Sequence, residues 1–268
     1  MKLCISNIAW SPAQDLSALE LLASLGVTNL ELAPTRWWPD LSVVLPCEIE
    51  GVRKQWRPFG IKPVCFQSVL FGRPELCVFG GKSSGDCLRY LQAVIHLASQ
   101  MEVSVVVFGS PRNRVRGSLA AGEAQERAIS FFRSVGMVAA DCGVRFCFEP
   151  NPSQYGTDFG CTTEESVALV EAVDSPGFWL NIDAGAIALN GEDASAVVHR
   201  TRNRIGHVHI SEPYLVDFSN PVGPHNNLGS ALLEIGYTGY VSLEMRARQD
   251  YLATVRQAIA FAKSVYRC

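Results

Sequence analysis

Basic charge is in short supply in this chain. Lys and Arg number 23 against 26 Asp and Glu, for a formal net charge of -3. Nucleic-acid-binding domains usually show a clearly basic face, so this balance speaks against nucleic acid as a partner. Long apolar runs are also missing. No stretch approaches the roughly 20 residues of a membrane-spanning helix. The opening MKLCISNIAWSP is too short and too polar for a secretory h-region and reads instead as a first strand. No membrane association and a cytoplasmic location are therefore expected. The nine cysteines include no C-x-x-C pair, and their number is odd. A disulfide scaffold is not expected at this size. Cys4, Cys65 and Cys147 lie inside strand-like runs, where a reduced thiol behaves as a small buried hydrophobe. Linker-like low-complexity segments are absent as well, so residues 1–268 read as one domain.

What is present is alternation. Short β-branched runs take turns with longer stretches of helical period. The strand candidates are LCISNIA (3–9), TNLELA (28–33), IKPVCFQ (61–67), VSVVVFG (103–109), VRFCFE (144–149), FWLNID (178–183), IGHVHIS (205–211) and YVSLEM (240–245). Between them the pattern predicts helices over 15–26, 45–60, 84–101, 122–143, 162–174, 192–203, 226–236 and 250–266. Gly26 and Gly143 mark helix ends. Thr162 with Glu165 forms a capping-box signature. Eight strand–helix units in this length have the size and rhythm of a single (β/α)8 TIM barrel. The strands are nearly continuous apolar runs, as in a parallel sheet covered on both faces. A doubly wound open sheet is the competing architecture. The even spacing, and the lack of G-x-G-x-x-G after the first strand, argue against its dinucleotide-binding form.

The long loops follow strands three and five and include SEPYLVDFSNPVGPHNN (211–227). All run from a strand into the next helix, which places them on the C-terminal face, where barrel active sites sit. The same ends carry charge. Strand two ends on Glu31, strand five on Glu149, strand six on Asp183 and strand eight on Glu244; strand seven carries His207 and His209. Any one of these reads as a solvated strand end. Several carboxylates around one mouth would raise one another's pKa, and a divalent cation removes that conflict. Glu149, Asp183, His209 and Glu244 together form a mixed oxygen–nitrogen shell suited to one Mn, Mg, Co or Zn ion. His207 and His209 share a strand face. His209 lies nearer the mouth and is the preferred ligand, and His207 reads as a core histidine.

These motifs carry a resemblance. VVVFGSPRNR (105–114), FEPNPSQYGTDF (148–159), NIDAGAIALNGED (181–193), HVHISEP (207–213) and VSLEM (241–245) resemble the xylose isomerase-like barrels. This sugar phosphate isomerase/epimerase superfamily includes ketose 3-epimerases, hydroxypyruvate isomerases, inosose dehydratases and, more distantly, repair endonucleases. The resemblance implies one metal ion held by Glu149, Asp183, His209 and Glu244. It also implies that Glu149 and Glu244 move a proton α to a carbonyl, and that the barrel forms a dimer or tetramer. It implies a small-molecule carbohydrate substrate.

The chain departs from that pattern. The family's D-x-x-H histidine falls on Ala186, the second glutamate after strand five is missing from PNPSQYGTD, and the arginine after the strand-seven histidine is missing from SEPYLVD. With five histidines in all, a three-metal repair-enzyme centre is not expected. Candidate substitutes for substrate binding are Arg112, Arg114, Arg246, Glu212 and His225, with Trp10, Trp37 and Trp38 as an apolar wall for a sugar. The expected activity is a metal-dependent sugar or sugar phosphate isomerase or epimerase. A metal-dependent dehydratase of a cyclic polyol ketone and a non-catalytic member of the fold are the alternatives.

Overall fold

The eight apolar runs form the eight parallel strands of a closed barrel in strict chain order, β1 to β8, in a computed structural model that describes residues 1–268. They are β1 Lys2–Ser6, β2 Asn29–Leu32, β3 Lys62–Phe66, β4 Val105–Phe108, β5 Arg145–Phe148, β6 Phe178–Asp183, β7 Ile205–Ser211 and β8 Tyr240–Glu244. Each lies inside or within a residue of its predicted run. β1 pairs with β8, for example Ile5 with Leu243, and this closes the sheet. Closure leaves no exposed strand edge.

The helices are α1 Asp15–Ser24, α2 Pro46–Trp56, α3 Gly81–Gln100, α4 Ala121–Asp141, α5 Thr163–Val173, α6 Ala184–Asn190, α7 Ala194–Thr201, α8 His225–Glu234 and α9 Tyr251–Tyr266. None is long and apolar enough to cross a membrane. The capping box at α5 forms: Thr162 Oγ1 accepts from Glu165 N–H at 3.2 Å, and Glu165 Oε2 accepts from Thr162 N–H at 3.4 Å. Gly143 closes α4 in the left-handed region, with φ +67.

One helix is unforeseen. AGAIALN continues directly from β6 with no polar break, so its apolar residues look like more strand. Asp183 turns the chain, since its Oδ1 accepts the Ala186 N–H at 2.6 Å and caps α6.

The core between sheet and helices is aromatic on the β4–β6 side. Phe132 of α4 packs on Phe108, Phe148 and Phe178 with ring centroids 5.1–5.4 Å apart. Inside the barrel, Cys4, Val64, Cys65, Val105, Val107 and Cys147 make a separate small cluster. All nine cysteines are free, and three of them fill space here as small apolar side chains. This floor supports a polar layer of Glu31, His207, His209 and Ser242, every one buried. Register aligns that layer: Asp183 pairs with His209, His209 with Ser242, and Ser211 with Glu244. The long strand-to-helix connections 33–45, 67–80, 149–162 and 212–224 all rise from the C-terminal end.

Candidate metal centre and active site

Glu149, Asp183, His209 and Glu244 meet at the C-terminal mouth, with one ligand atom from each lying within 4.8 Å of the others. His209 is the hub. Its Nδ1 lies 2.8 Å from Glu149 Oε1, 3.2 Å from Glu244 Oε2 and 3.9 Å from Asp183 Oδ2. The ring is buried and faces two ways, since Nε2 points down to Glu31 Oε1 at 3.1 Å.

Each carboxylate is held by its own neighbours. Glu149 accepts from Asn181 Nδ2 at 2.7 Å on one oxygen and from Asn151 Nδ2 at 3.1 Å on the other. Its backbone carbonyl accepts from Arg114 Nη1 at 2.7 Å. Arg114 is fully buried and lies over the Phe148 ring at 4.5 Å, so the tip of β5 is anchored from below. Burial pulls the Arg114 pKa down to about 10, against the charge of Glu149, which still leaves the guanidinium protonated at neutral pH. Gly109 at the end of β4 makes room above: a Cβ there would sit 2.4 Å from Glu149 Oε2. Asp183 accepts from Ser211 Oγ at 2.5 Å while it caps α6.

The electrostatics are those of a shared charge problem. Burial, then the negative charge of Glu149, pushes the Asp183 carboxyl up to about 7. Burial likewise raises Glu244. Burial would raise Glu149 too, but the imidazole of His209 outweighs it and holds Glu149 low. Burial opposes a charged His209, yet the Glu31 and Glu244 charges hold its proton well above the ordinary range.

The donor set fits a divalent cation on two grounds. Three carboxylates and an imidazole are a suitable mixed shell. In addition, His209 Nδ1 is a buried nitrogen with no hydrogen-bond partner. Two carboxylate oxygens are close to it, but neither lies in line with an in-plane N–H. Once a cation displaces its proton, Nδ1 presents a lone pair to the carboxylate cluster, as a ligand nitrogen does.

A cleft of about 310 Å³ opens over these four residues. Gln67, Asn151, Tyr155, Tyr214 and Arg246 are among the residues lining its walls. Tyr155 and Tyr214 stack edge to face, and Tyr155 Oη accepts the Tyr214 N–H at 2.9 Å. Tyr214 and Leu215 hold left-handed backbone at φ 59 and 57, a costly conformation for non-glycine residues. This strained strap forms one wall of the cleft.

Of the expected substrate-binding residues, Arg246 lines the cleft and the others do not. Arg112 is exposed on the turn after β4. Trp10 is buried and donates its indole N–H to Asp15 at 2.7 Å. Trp37 packs against Trp56 at 5.6 Å, and Trp38 is buried beside it. Glu212 and His225 pair with each other beneath the strap, at 2.6 Å. Ala186 is buried and contributes its backbone N–H to Asp183. Sequence reasoning missed Asn181 and Asn151 as supports of Glu149. Asn181 lies two residues before Asp183 on the same strand face, a period-two signal that could have found it.

The chain is similar to known proteins in the same terms. Over 119 residues it is 28% identical to a D-psicose 3-epimerase of Ruminiclostridium cellulolyticum; the match covers 44% of this chain and 40% of that relative. Its fold overlays the crystal structure of D-psicose 3-epimerase with D-tagatose from Clostridium cellulolyticum H10 with a TM-score of 0.82. There the identity is 19%, and all of both chains is covered. It also overlays the IOLI protein with a bound zinc atom at a TM-score of 0.74 and 17% identity, covering 99% and 98% of the two chains. The profile of the family described as the xylose isomerase-like TIM barrel matches residues 19–265. With its closed eight-stranded barrel, this chain belongs to that family.

Proposed function

We propose that this protein is a metal-dependent epimerase or isomerase of a small polyhydroxylated carbonyl compound. The reading rests on one observation above all: Glu149 and Glu244 converge with Asp183 on the free Nδ1 of His209 at the floor of the cleft. Glu149, Asp183, His209 and Glu244 would hold the ion. When bound, a divalent cation supplies positive charge against the negative charge that develops on the substrate's carbonyl and hydroxyl oxygens.

The chain's own residues do the rest. One of the two glutamates removes the proton α to the carbonyl, and the other returns one to the same or the neighbouring carbon. Asn181 and Asn151 keep Glu149 aimed at the cleft. Tyr155 and Tyr214 screen the reacting carbons from water on the strap side. The walls offer amide, hydroxyl and guanidinium groups from Gln67, Ser110, Asn151 and Arg246, which suits a carbohydrate. The epimerase relative and the structural likeness support this substrate class. Nine free thiols fit a reducing, cytoplasmic setting.

The test is α-proton exchange. The Mn²⁺-loaded protein is incubated with a panel of ketoses in deuterated water, and isotope uptake is followed by NMR. Wild type should incorporate deuterium at one carbon, and E149Q and E244Q should not. Full exchange in both single variants would defeat the assignment. A second reading, a dehydratase of a cyclic polyol ketone, is left open by Ala186, which stands where the epimerase pattern carries the D-x-x-H histidine. Loss of water in the product, in place of a mass-neutral rearrangement, would select it.

A further inference from the structure

We propose that Glu31 is the positioning residue of the metal centre: it fixes the His209 ring so that Nδ1, and not Nε2, meets the three carboxylates. The inference rests on the metal-dependent reading above and concerns a residue that does not itself line the cleft.

Glu31 sits on β2, across the barrel lumen from β7, and is completely buried. A buried carboxylate is costly unless its oxygens are satisfied. Here they are divided between two tasks. Oε2 accepts from Ser242 Oγ at 2.7 Å. Oε1 lies 3.1 Å from His209 Nε2 and 3.4 Å from His207 Nε2. The β2–β3 register slips between Leu30 and Glu31, an irregularity of the kind that re-aims a side chain beside a site. Ser242 on β8 holds the far oxygen, so the near one has little freedom to turn away from His209.

The consequence is chemical. A neutral imidazole carries one N–H and one lone pair. With Glu31 accepting at Nε2, that nitrogen keeps its proton and the lone pair is left on Nδ1. Nδ1 is the atom without a hydrogen-bond partner, beside Glu149 and Glu244. A carboxylate behind a ligating histidine sets tautomer and ring orientation and raises ligand basicity; its loss typically costs about 10–100-fold in metal affinity. Glu31 has the place, the burial and the second anchor for that task.

The test separates positioning from simple core filling. The full chain is stripped with a chelator and titrated calorimetrically with Mn²⁺ and, separately, with Zn²⁺. Thermal unfolding of the stripped protein is recorded in parallel. Wild type should bind one ion. Glu31→Gln keeps the volume and should still bind one ion, but about 10–100-fold more weakly. In the zinc-loaded wild type, NMR should show a slowly exchanging, downfield imidazole N–H for His209, and that signal should be lost in the variant. If Glu31→Gln does not fold, Ser242→Ala frees the other oxygen and should weaken the ion in the same direction by less.

Unchanged affinity in a folded variant overturns the proposal. So does lower thermal stability with metal affinity intact, which is the signature of a merely structural role. Two ions per wild-type chain, with one lost in Glu31→Gln, would overturn it differently, by making Glu31 a ligand. A wild type that binds neither ion defeats the functional reading itself, and this inference falls with it.

Discussion

Of the buried histidine–glutamate pairs in this protein, Glu212–His225 and Glu31–His209 serve different ends. Beneath the strap, His225 is closed on both sides: Nε2 meets Glu212 at 2.6 Å and Nδ1 meets Tyr266 Oη at 2.7 Å. Glu212 is saturated as well, accepting the Val222 and Gly223 N–H groups at 2.9 and 3.2 Å. At the mouth, His209 is closed on one side only. Its Nε2 has Glu31, while Nδ1 faces three carboxylates and a cleft without a hydrogen bond. The first network is complete in itself and ties down a loop. The second is left open at the one atom that points to solvent-accessible space. What sets His209 apart is where its open nitrogen points: Nδ1 faces three carboxylates and the cleft, whereas His207, whose ring nitrogens also lack a hydrogen bond, does not line it.

The largest expected effect tests the open pair. E149Q or E244Q should lower α-proton exchange by about 10²–10⁴-fold, the usual yield of a positioned acid or base. For E244Q the unfolding midpoint should stay near or above that of the wild type, because burial and the Glu149 charge raise the Glu244 carboxyl, whereas E149Q removes a carboxylate that His209 holds low and should lower the midpoint. Exchange at the wild-type rate in either variant would remove that glutamate from the chemistry.

The closed pair should respond in the opposite way. E212A leaves His225 without its carboxylate partner and should cost about 3–5 kcal/mol of stability, as broken buried pairs do. Metal affinity and exchange should be unaffected in the protein that remains folded. The pH dependence has a definite sign. Burial would raise the Glu212 carboxyl, but His225 and the Val222 and Gly223 N–H groups hold it below its ordinary value. Its contribution is therefore present above an ordinary carboxylate pKa of about 4.3 and is lost as pH falls through the lower folded value. Urea unfolding between pH 3 and 7 should show a constant gap between wild type and E212A at neutral pH, closing in acid. A folded E212A protein that no longer binds metal would merge the two pairs into one network and break the comparison.

The sequence alone could not tell these pairs apart. Glu212 and His225 follow β7 on a long loop at the active end, which is all that position and residue type can report. Their closure depends on Tyr266, at the far end of the chain, and on two backbone N–H groups. The barrel itself is legible because eight apolar runs at even spacing leave few other architectures. The gathering of Glu149, Asp183, His209 and Glu244 is legible for a related reason. Asp183 and Glu244 end their strands, Glu149 directly follows β5 and His209 lies two residues from the end of β7, so all four must lie near the mouth whatever the packing around them. Arg114 was less readable, since a surface role is the default for arginine, and only tertiary structure lays it over Phe148. α6 was hidden because its apolar residues extend the strand pattern and its cap, Asp183, has a second task.

A subtler probe of the open pair is G109A. The backbone at Gly109 lies outside the left-handed region, so alanine fits the chain there and the fold should survive. The new Cβ would fall 2.4 Å from Glu149 Oε2. Asn181 and Asn151 grip that carboxylate, so it cannot simply swing aside. A displacement of about 1 Å at a catalytic group can cost about 100-fold in rate. G109A should therefore lose exchange activity by about 10–100-fold, with less loss of stability than E212A. Crystallography of the variant should show Glu149 moved away from His209.

The smallest effect is expected at the rim. Arg246 is the only arginine or lysine lining the cleft, and it is exposed. Its backbone N–H is tied to the Leu215 carbonyl at 2.9 Å, which sets it against the strained strap. An exposed ion pair or hydrogen bond contributes at most about 1 kcal/mol, or about fivefold in affinity. Binding of this kind acts on substrate and transition state alike, so R246Q should raise KM by up to that factor and leave kcat unchanged. The effect should be larger for a substrate carrying a carboxylate or phosphate, because a guanidinium fork matches both groups. Comparing a neutral ketose with its phosphate ester in wild type and R246Q therefore reads the substrate's charge from the protein's side. An equal effect on both would place Arg246 on a hydroxyl, and a fall in kcat would move it from the rim to the reacting centre.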